Sequence, residues 1–591
     1  MKYIDETLNN TKAMTLLVFA LMCFCALFLV PGLGGPLFLD SQKLYGLESL
    51  FLDHGWQISF DQLSFSYSYG RVLSMASFYL NIGIEGGLSP YQLKATNLGI
   101  HLINGLLILW LTKLVLADEY SKVQREYLSL LILLLWVIAP INMGAVFYAV
   151  QRMTLLSATF SLVSLITFAN YLQSNRDSQL PRIKNLMYFL SMTLTFVIAL
   201  LCKETALLLP LYLGCIYLRF RPQNLTWNAI GAASIVLLAL VLLLIGLISS
   251  FGFLDYSGRE FTLYERLLTQ SRVLVAYITE IALPRSSATN VYRDGFTISR
   301  NVLSPVSTMP ALLFVFGTLS LGFVLLLRKK SSLLGFGLIF FFSSHVIEST
   351  ILPLELYFDH RNYLASWGLL VFILCVLTNI CSGRPIILLT IFSALIFNNL
   401  IIGYFKLESW SNKSSALSAA INREPPSQRA FSEMSALLLA EGRALDSLSM
   451  LNVALQKSDT LRANLALQYL FTKCAVGERV SATDLQRIAS SNIQIASNEI
   501  SQALQNLHDL RAKVDCQGLN AGELDVVLNT LSRRYWSKQR DSWHIDYYRV
   551  LIALEENNVG LVQSIFSEPV YAQHAQAKLF LGYLTEQGKL K

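Results

Sequence analysis

What most constrains this chain is the succession of long apolar runs that fills it before about residue 405. Each run approaches the ~20 residues an α-helix needs to cross a bilayer. In hydrocarbon a backbone must satisfy its own hydrogen bonds, which a helix does and an open sheet edge does not. The runs are 13–33, 95–116, 128–147, 150–172, 186–202, 204–218, 229–250, 308–327, 333–351, 363–381 and 385–404, so about eleven spans are expected, with ends fixed to about 2–4 residues. Composition agrees: 54% of the 591 residues are hydrophobic and 14% charged, against about 25% charged in an ordinary soluble protein. The expected fold class is all-α, a polytopic membrane domain over 1–404 and a soluble domain over 405–591. Lys2 and Lys12 precede the first run and no small-residue cleavage site follows it, so it reads as a retained helix.

Orientation follows from the basic residues, since short Lys/Arg-rich loops stay cytoplasmic. Lys113, Lys122 and Arg125, then Arg176, Arg182 and Lys184, then Arg219 and Arg221, then Arg328 to Lys330, then Arg384 all fall on the N-terminal side. The opposite side receives loops 34–94, 251–307 and 352–362 and the C-terminal region. The formal charge of +7 is thereby explained as topology, and nucleic-acid binding is not expected. Six of the eight cysteines lie in or beside apolar runs; Cys474 and Cys516 lie in the soluble part, where an oxidising compartment would let them pair.

Beyond about Lys406 the periodicity is that of helical hairpins. Pro425-Pro426 opens the array, and Ala430 to Ala440 and Arg443 to Leu455 flank a turn at Gly442. This unit is similar to a tetratricopeptide repeat, with a period of about 34 residues, although later pairs lose its small-residue positions. Stacked pairs make a concave surface for a protein or extended peptide.

Chemistry concentrates at the outer boundary. The stretch Leu352 to Tyr363 packs Glu355, Tyr357, Asp359, His360, Arg361 and Asn362 between two apolar runs. Arg71, Arg152, Lys203 and Arg361 place a cation at four separate outer boundaries, suited to an anionic lipid head group. Asp40, one short loop beyond the first run, offers a carboxylate that is either a general base or a solvated loop residue; Asp53, His54 and Asp61 compete for that role. Asn97, His101 and Asn104 share one helix face and either line a site or hold helices together. Glu204 beside Lys203 either pairs with it or lines a cavity. Tyr264 to Arg266, Gln270, Arg272 and Tyr277 read as a surface-lying amphipathic helix. A phosphate-binding glycine loop, zinc-type ligand spacing and a GxSxG elbow are absent from the sequence.

Asn97…His101…Asn104, Tyr-Ala-Val-Gln-Arg-Met (148–153), Cys-Lys-Glu-Thr-Ala with Pro210, and Leu-Glu-Leu-Tyr-Phe-Asp-His-Arg-Asn-Tyr-Leu occur in this order. Together they resemble bacterial relatives of the transmembrane and tetratricopeptide-repeat protein O-mannosyltransferases, in the GT-C glycosyltransferase superfamily, over nearly the whole chain. The resemblance implies transfer of one sugar from a polyprenyl-phosphate carrier to an acceptor hydroxyl on the periplasmic face of a bacterial inner membrane. It implies a protein acceptor such as a pilin, with a surface glycan as the alternative. It makes Asp40 the general base, although Ser41 stands where relatives often have a second acidic residue, which weakens any metal requirement. His360 and Arg361, with Arg152, Lys203 and Arg71, would hold the carrier phosphate; Glu355, His101, Asn97 and Tyr357 would orient those groups or the acceptor. A flippase of lipid-linked sugars and a non-catalytic assembly protein are the competing classes; a flippase should carry polar residues through the bilayer midplane, whereas here they gather at one boundary.

Overall fold

The computed structural model describes residues 11–57, 71–177, 181–220, 254–256, 259, 261–328, 331–457, 462–490, 497–511, 513, 516–537, 542–571 and 574–590. Among them every regular element is helical apart from isolated bridge residues, Arg462 and the pair Asn301 with Ser304. The run 229–250, Asp61, Tyr67 and Tyr69 lie outside the described residues.

The chain divides into two compact units, 1–254 with 263–419 and 255–262 with 420–591. The first contains α1 (Thr11–Leu29), α2 (Tyr45–His54), α3 (Val72–Glu85), α4 (Pro90–Val115), α5 (Lys122–Val137), α6 (Pro140–Phe147), α7 (Arg152–Asp177), α8 (Arg182–Cys202), α9 (Leu209–Phe220), α10 (Leu263–Ala282), α11 (Thr308–Leu327), α12 (Ser332–Ser344), α13 (Ala365–Ile380) and α14 (Pro385–Ser411). The boundary expected at 404/405 falls at 419/420. The cause is α14, which runs on to Ser411 and buries Lys406, Leu407, Ser409 and Trp410.

Among the described residues, six helices are long and apolar enough to cross a membrane: α1, α4, α7, α8, α11 and α14. A seventh is added if α5 and α6, bent by 56° at their junction, make one span. The other expected spans are shorter than they read. The apolar run 204–218 opens with a 3-10 turn, Glu204–Leu208, before the 12 residues of α9. Run 333–351 stops being regular at Ser344 after 13 residues, and α13 has 16. At 1.5 Å per residue such helices reach about 18–24 Å, short of the ~30 Å hydrocarbon core.

The α5–α6 break shows how the fold satisfies backbone groups that a proline releases. Pro140 has no N–H, so the Trp136 carbonyl four residues earlier loses its helical partner. Asn142 Nδ2 takes that carbonyl at 2.8 Å, and Ser366 Oγ in turn donates to Asn142 Oδ1 at 3.1 Å. The next freed carbonyl, Val137, lies 3.0 Å from His101 Nε2. Helix α4 begins at Pro90, five residues before the apolar run, because Ser89 caps it by accepting from the Gln92 amide.

The second unit is an array of hairpins: α15 (Lys413–Ile421) straddles its start, followed by α16 (Gln428–Ala440), α17 (Ala444–Lys457), α18 (Ala463–Ala475), α19 (Ala482–Ser490), α20 (Ser497–Arg511), α21 (Ala521–Ser537), α22 (Trp543–Glu555), α23 (Val559–Phe566) and α24 (Ala575–Glu586). Gly442, at φ 75°, makes the turn between α16 and α17, a conformation that glycine adopts without steric cost. A disulfide joins Cys474, at the end of α18, to Cys516, ahead of α21, across a sequence separation of 42 with Cα atoms 5.0 Å apart. Closing a loop of that size removes about 4 kcal/mol of unfolded-chain entropy in the chain-entropy account. Alkylation of denatured, unreduced protein should therefore label the other six cysteines and spare Cys474 and Cys516, and Cys474→Ala should lower the unfolding temperature of this unit. Full labelling of both thiols without reductant would refute the bridge.

Candidate functional site

The stretch 352–363 holds little regular structure, only a 3-10 turn at Asp359–Asn362, so its backbone must be satisfied from outside. Helix α10 does this with one face. Arg266, fully buried, donates from Nε to the Thr350 carbonyl at 2.7 Å, from Nη1 to Leu354 at 2.5 Å and from Nη2 to Glu348 at 2.7 Å. Four residues on, Gln270 Nε2 donates to the Leu356 carbonyl at 2.9 Å. Seven further, the Tyr277 hydroxyl donates to the Phe358 carbonyl at 3.0 Å and accepts the Phe358 amide at 2.9 Å. The helix expected to rest on the lipid interface is thus a packed scaffold whose polar face is turned inward.

A buried charge chain then fixes Asp359. Lys406 Nζ reaches Asp359 Oδ2 at 2.5 Å, Arg293 lies 2.9 Å from Asp359 Oδ1, and Arg293 also pairs with Glu280 at 3.2 Å. All four side chains are under a tenth exposed, and two cations against two anions leave the chain neutral. Gly144 of α6 permits the approach, since a Cβ there would stand 2.8 Å from Asp359 Cβ. Tyr357 belongs to this packing and not to an acceptor surface: its ring lies under the Arg293 guanidinium, 4.8 Å from the centroid, and 4.7 Å from the Tyr277 ring.

His360 and Arg361 follow directly on the fixed residue. Arg361 donates Nη1 to the Leu356 carbonyl at 3.2 Å and leaves a buried Nε without a partner. His360 is buried and its imidazole is held well below the usual histidine range, first by burial and then by the charges of Lys203, Arg361 and Arg71. It is therefore neutral near pH 7, so the pair expected to hold the phosphate is one cation, Arg361, beside a neutral imidazole. Lys203 is buried between Glu348 at 3.1 Å and Thr154 Oγ1 at 3.0 Å. Arg71, at the start of α3, grips Glu204 with Nε and Nη2, the former at 2.8 Å. Glu204 thus pairs with Arg71. Glu348 sits within the field of Lys203 and Arg361, the place expected of Glu355, which lies half-buried at the head of the stretch. The group Arg71, Lys203, Arg361, Glu204 and Glu348 sums to one positive charge.

Arg152 does not join it. Fully buried, it donates to Asn97 Oδ1 at 2.8 Å, to the Ser77 carbonyl at 3.0 Å, and to Asn81 Oδ1 and the Leu93 carbonyl at 2.9 Å each, with its guanidinium 4.4 Å from the Phe78 ring centroid. It binds α3 and α4 to α7. Asn97 and His101 are likewise engaged within the bundle. Asn97 Nδ2 holds the Val146 and Ala149 carbonyls at 3.1 and 3.0 Å, and His101 Nδ1 meets the Tyr363 hydroxyl at 2.8 Å. Asn104 Nδ2 also reaches that hydroxyl, at 3.2 Å. His101 and Asn104 thereby orient the end of the 352–363 stretch, whereas Asn97 braces α6, the following turn and Arg152.

Asp40 opens a 3-10 turn, Leu39–Leu44, behind Leu39 at φ 49°. A leucine seldom occupies that left-handed region, and such strain is commonest where a side chain must be aimed. The Tyr148 hydroxyl donates to Asp40 Oδ2 at 3.1 Å and accepts the Asp40 amide at 3.1 Å. The carboxylate stays more than half exposed, 2.9 Å from Lys43. The Tyr148 ring lies 6.1 Å from the His360 ring and 6.4 Å from that of Phe358. One tyrosine therefore links the solvent-facing carboxylate to the buried His360. Asp53 and His54 lie on α2, where His54 Nδ1 faces its own helix, 3.3 Å from the Leu50 carbonyl.

Sequence reading passed over Tyr148 as a site residue and missed Glu280, Arg293, Glu348 and Lys406. Lys406 carried a signal: a lysine closing a 20-residue apolar run in a helix that continues past it. Among the described residues no group of three or more His, Cys, Asp or Glu side chains is placed to hold a metal ion.

Removing one member of a buried charge pair leaves the other uncompensated, at a cost of about 3–5 kcal/mol. Asp359→Asn and Lys406→Met should each lower the thermal unfolding temperature of the detergent-solubilised protein, while the double substitution should lose much less than the sum. Strictly additive losses would mean that the two groups do not interact. In comparisons with known proteins, no family model matches the chain, and no curated protein or solved structure is significantly similar to it.

Proposed function

We propose that this chain is an integral-membrane glycosyltransferase of GT-C type that moves a sugar from a polyprenyl-phosphate carrier to an acceptor hydroxyl. The observation that carries the reading is the Tyr148 bridge, whose hydroxyl bonds Asp40 while its ring lies beside that of His360. In the proposed reaction the acceptor oxygen attacks the anomeric carbon and its proton passes to Asp40. The bond from that carbon to the carrier phosphate oxygen breaks, and the phosphate leaves with the bonding pair. Arg361 and Lys203 meet the charge that develops on it, an effect strengthened where water is excluded. His360 supplies an N–H, and Arg71 is released toward the phosphate only as far as Glu204 allows. Arg152, spent on protein carbonyls and amides, has no part.

The proposed topology keeps eleven spans, counting the short helices and 229–250, in a bacterial inner membrane with a cytoplasmic N terminus and the repeat-like C-terminal unit in the periplasm. The Cys474–Cys516 bridge supports an oxidising compartment for that unit. Its acceptor is an exported protein such as a pilin. A groove of about 540 Å³ lined by Trp543, Tyr547, Phe580 and Tyr583 within the C-terminal unit offers rigid aromatic anchors for it.

Intact-mass analysis of exported proteins tests this. Cells lacking the chain should lose a sugar-sized mass increment, and Asp40→Asn should lower its formation about 10²–10⁴-fold, the usual contribution of a general base. Unchanged masses throughout would exclude a protein acceptor; loss in the deletion alone would move the base elsewhere. The neutral His360 adds a pH test. An anion bound beside it raises its depressed pKa, so binding takes up a proton and tightens as pH falls through the pKa of the bound state. Carrier-phosphate affinity should rise from pH 7 to pH 5 in the wild type and stay level in His360→Gln; parallel profiles would remove His360 from the phosphate site.

A further inference from the structure

A second lipid site lies at the other end of the membrane unit. Helix α1 runs beside α4 with little cover: only 17% of its apolar window is buried. Between them is a groove of about 660 Å³, walled by Phe19, Met22 and Ala26 of α1 and Ile103 and Leu106 of α4. Phe19 and Ile103 are more than half exposed along it. It runs from Ala26 back to Met14, about 18 Å at 1.5 Å per residue, slightly more than one leaflet of a ~30 Å hydrocarbon core.

The polar lining lies toward the N-terminal end of α1. There Lys113 at the end of α4, and Lys122 and Glu126 of α5, line the same groove. Lys113 and Glu126 pair at 2.5 Å, while Lys122, the first residue of α5, is exposed. Two cations against one anion leave a net positive charge at the level of a head group. An apolar trench between membrane-crossing helices is filled by hydrocarbon, because water gains no partners in it. The charge at its mouth selects which lipid supplies that hydrocarbon, as basic pockets between membrane helices do.

We infer that this groove binds an anionic phospholipid of the leaflet at the N-terminal end of α1, one acyl chain in the trench and the phosphate at Lys122 and Lys113. The site is separate from the Asp40–His360 region and does not rest on the transferase reading. It holds α1 against α4, and α4 carries the His101 and Asn104 contacts to Tyr363 at the end of the 352–363 stretch.

The test is native mass spectrometry of the full-length protein in non-ionic detergent, titrated with dioleoylphosphatidylglycerol, dioleoylphosphatidylcholine and undecaprenyl phosphate. Phosphatidylglycerol should be retained at least tenfold better than phosphatidylcholine. Lys113→Gln and Lys122→Gln should each weaken it about fivefold, the scale of one basic residue at a charged lipid surface. Glu126→Gln, which frees Lys113, should strengthen it by a similar factor, a change opposite in sign to any loss from misfolding. Ala26→Trp, with every lysine intact, should block both phospholipids. Equal retention of the two phospholipids, weaker binding in Glu126→Gln, or lysine-dependent binding of undecaprenyl phosphate in preference to phosphatidylglycerol would each overturn the assignment.

Discussion

A non-helical backbone segment beside a membrane is tolerated only when protein satisfies its amides and carbonyls, and the 352–363 stretch depends on that condition. Arg266 alone covers the Leu354 carbonyl of that stretch and those of Glu348 and Thr350 in the turn that leads into it. Gln270 and Tyr277 continue the same service along one face of α10. The segment is irregular as far as Phe358 and closes in the 3-10 turn Asp359–Asn362, whose tight winding sends Asp359, His360 and Arg361 to different sides within three residues.

Charges in this unit divide by whether their donors are already spent. Arg152, Arg266 and Lys406 are buried cations that bind helices and loops to one another, and their hydrogen bonds leave little for a ligand. Arg361 differs in keeping a buried Nε unpartnered. Leaving such a group unsatisfied costs about 1–3 kcal/mol, a cost that a bound anion would remove. The pairings of Lys203 with Glu348 and Arg71 with Glu204 hold the remaining cations in position before any phosphate arrives. Prepositioned charge of this kind needs no reorganisation when a leaving group develops its own.

The sequence made the all-helical membrane class legible because apolar run length is a one-dimensional property. It also marked the 352–363 stretch, where charged residues interrupt such runs. The spans that came out short, α12 and α13, have apolar composition throughout; what ends α12 at Ser344 is the turn region holding His345 and Glu348, whose partners come from elsewhere in the chain. Roles were less legible than positions for the same reason. Arg152 and Arg361 each stand beside an apolar helix, and only the distant Asn97, Ser77, Asn81 and Leu93 reveal that the first is consumed. Lys406 and Arg293 became visible as partners only when the fold brought them to Asp359 across sequence distances that no local pattern encodes.

The two groups that meet at Tyr148 differ in burial in a way that suits the proposed two-substrate transfer. His360 and Arg361 are buried and follow directly on Asp359, which the charge chain holds, whereas Asp40 is more than half exposed, with the Tyr148 hydroxyl and Lys43 among its partners. A carrier phosphate presents the same charge each time, so a prearranged site loses nothing by being stiff. In the proposed reaction an acceptor hydroxyl arrives on a varying surface and meets Asp40 from the solvent side, while the Tyr148 hydroxyl, bonded to both the carboxylate and the amide of Asp40, holds that residue beside the turn at Leu39.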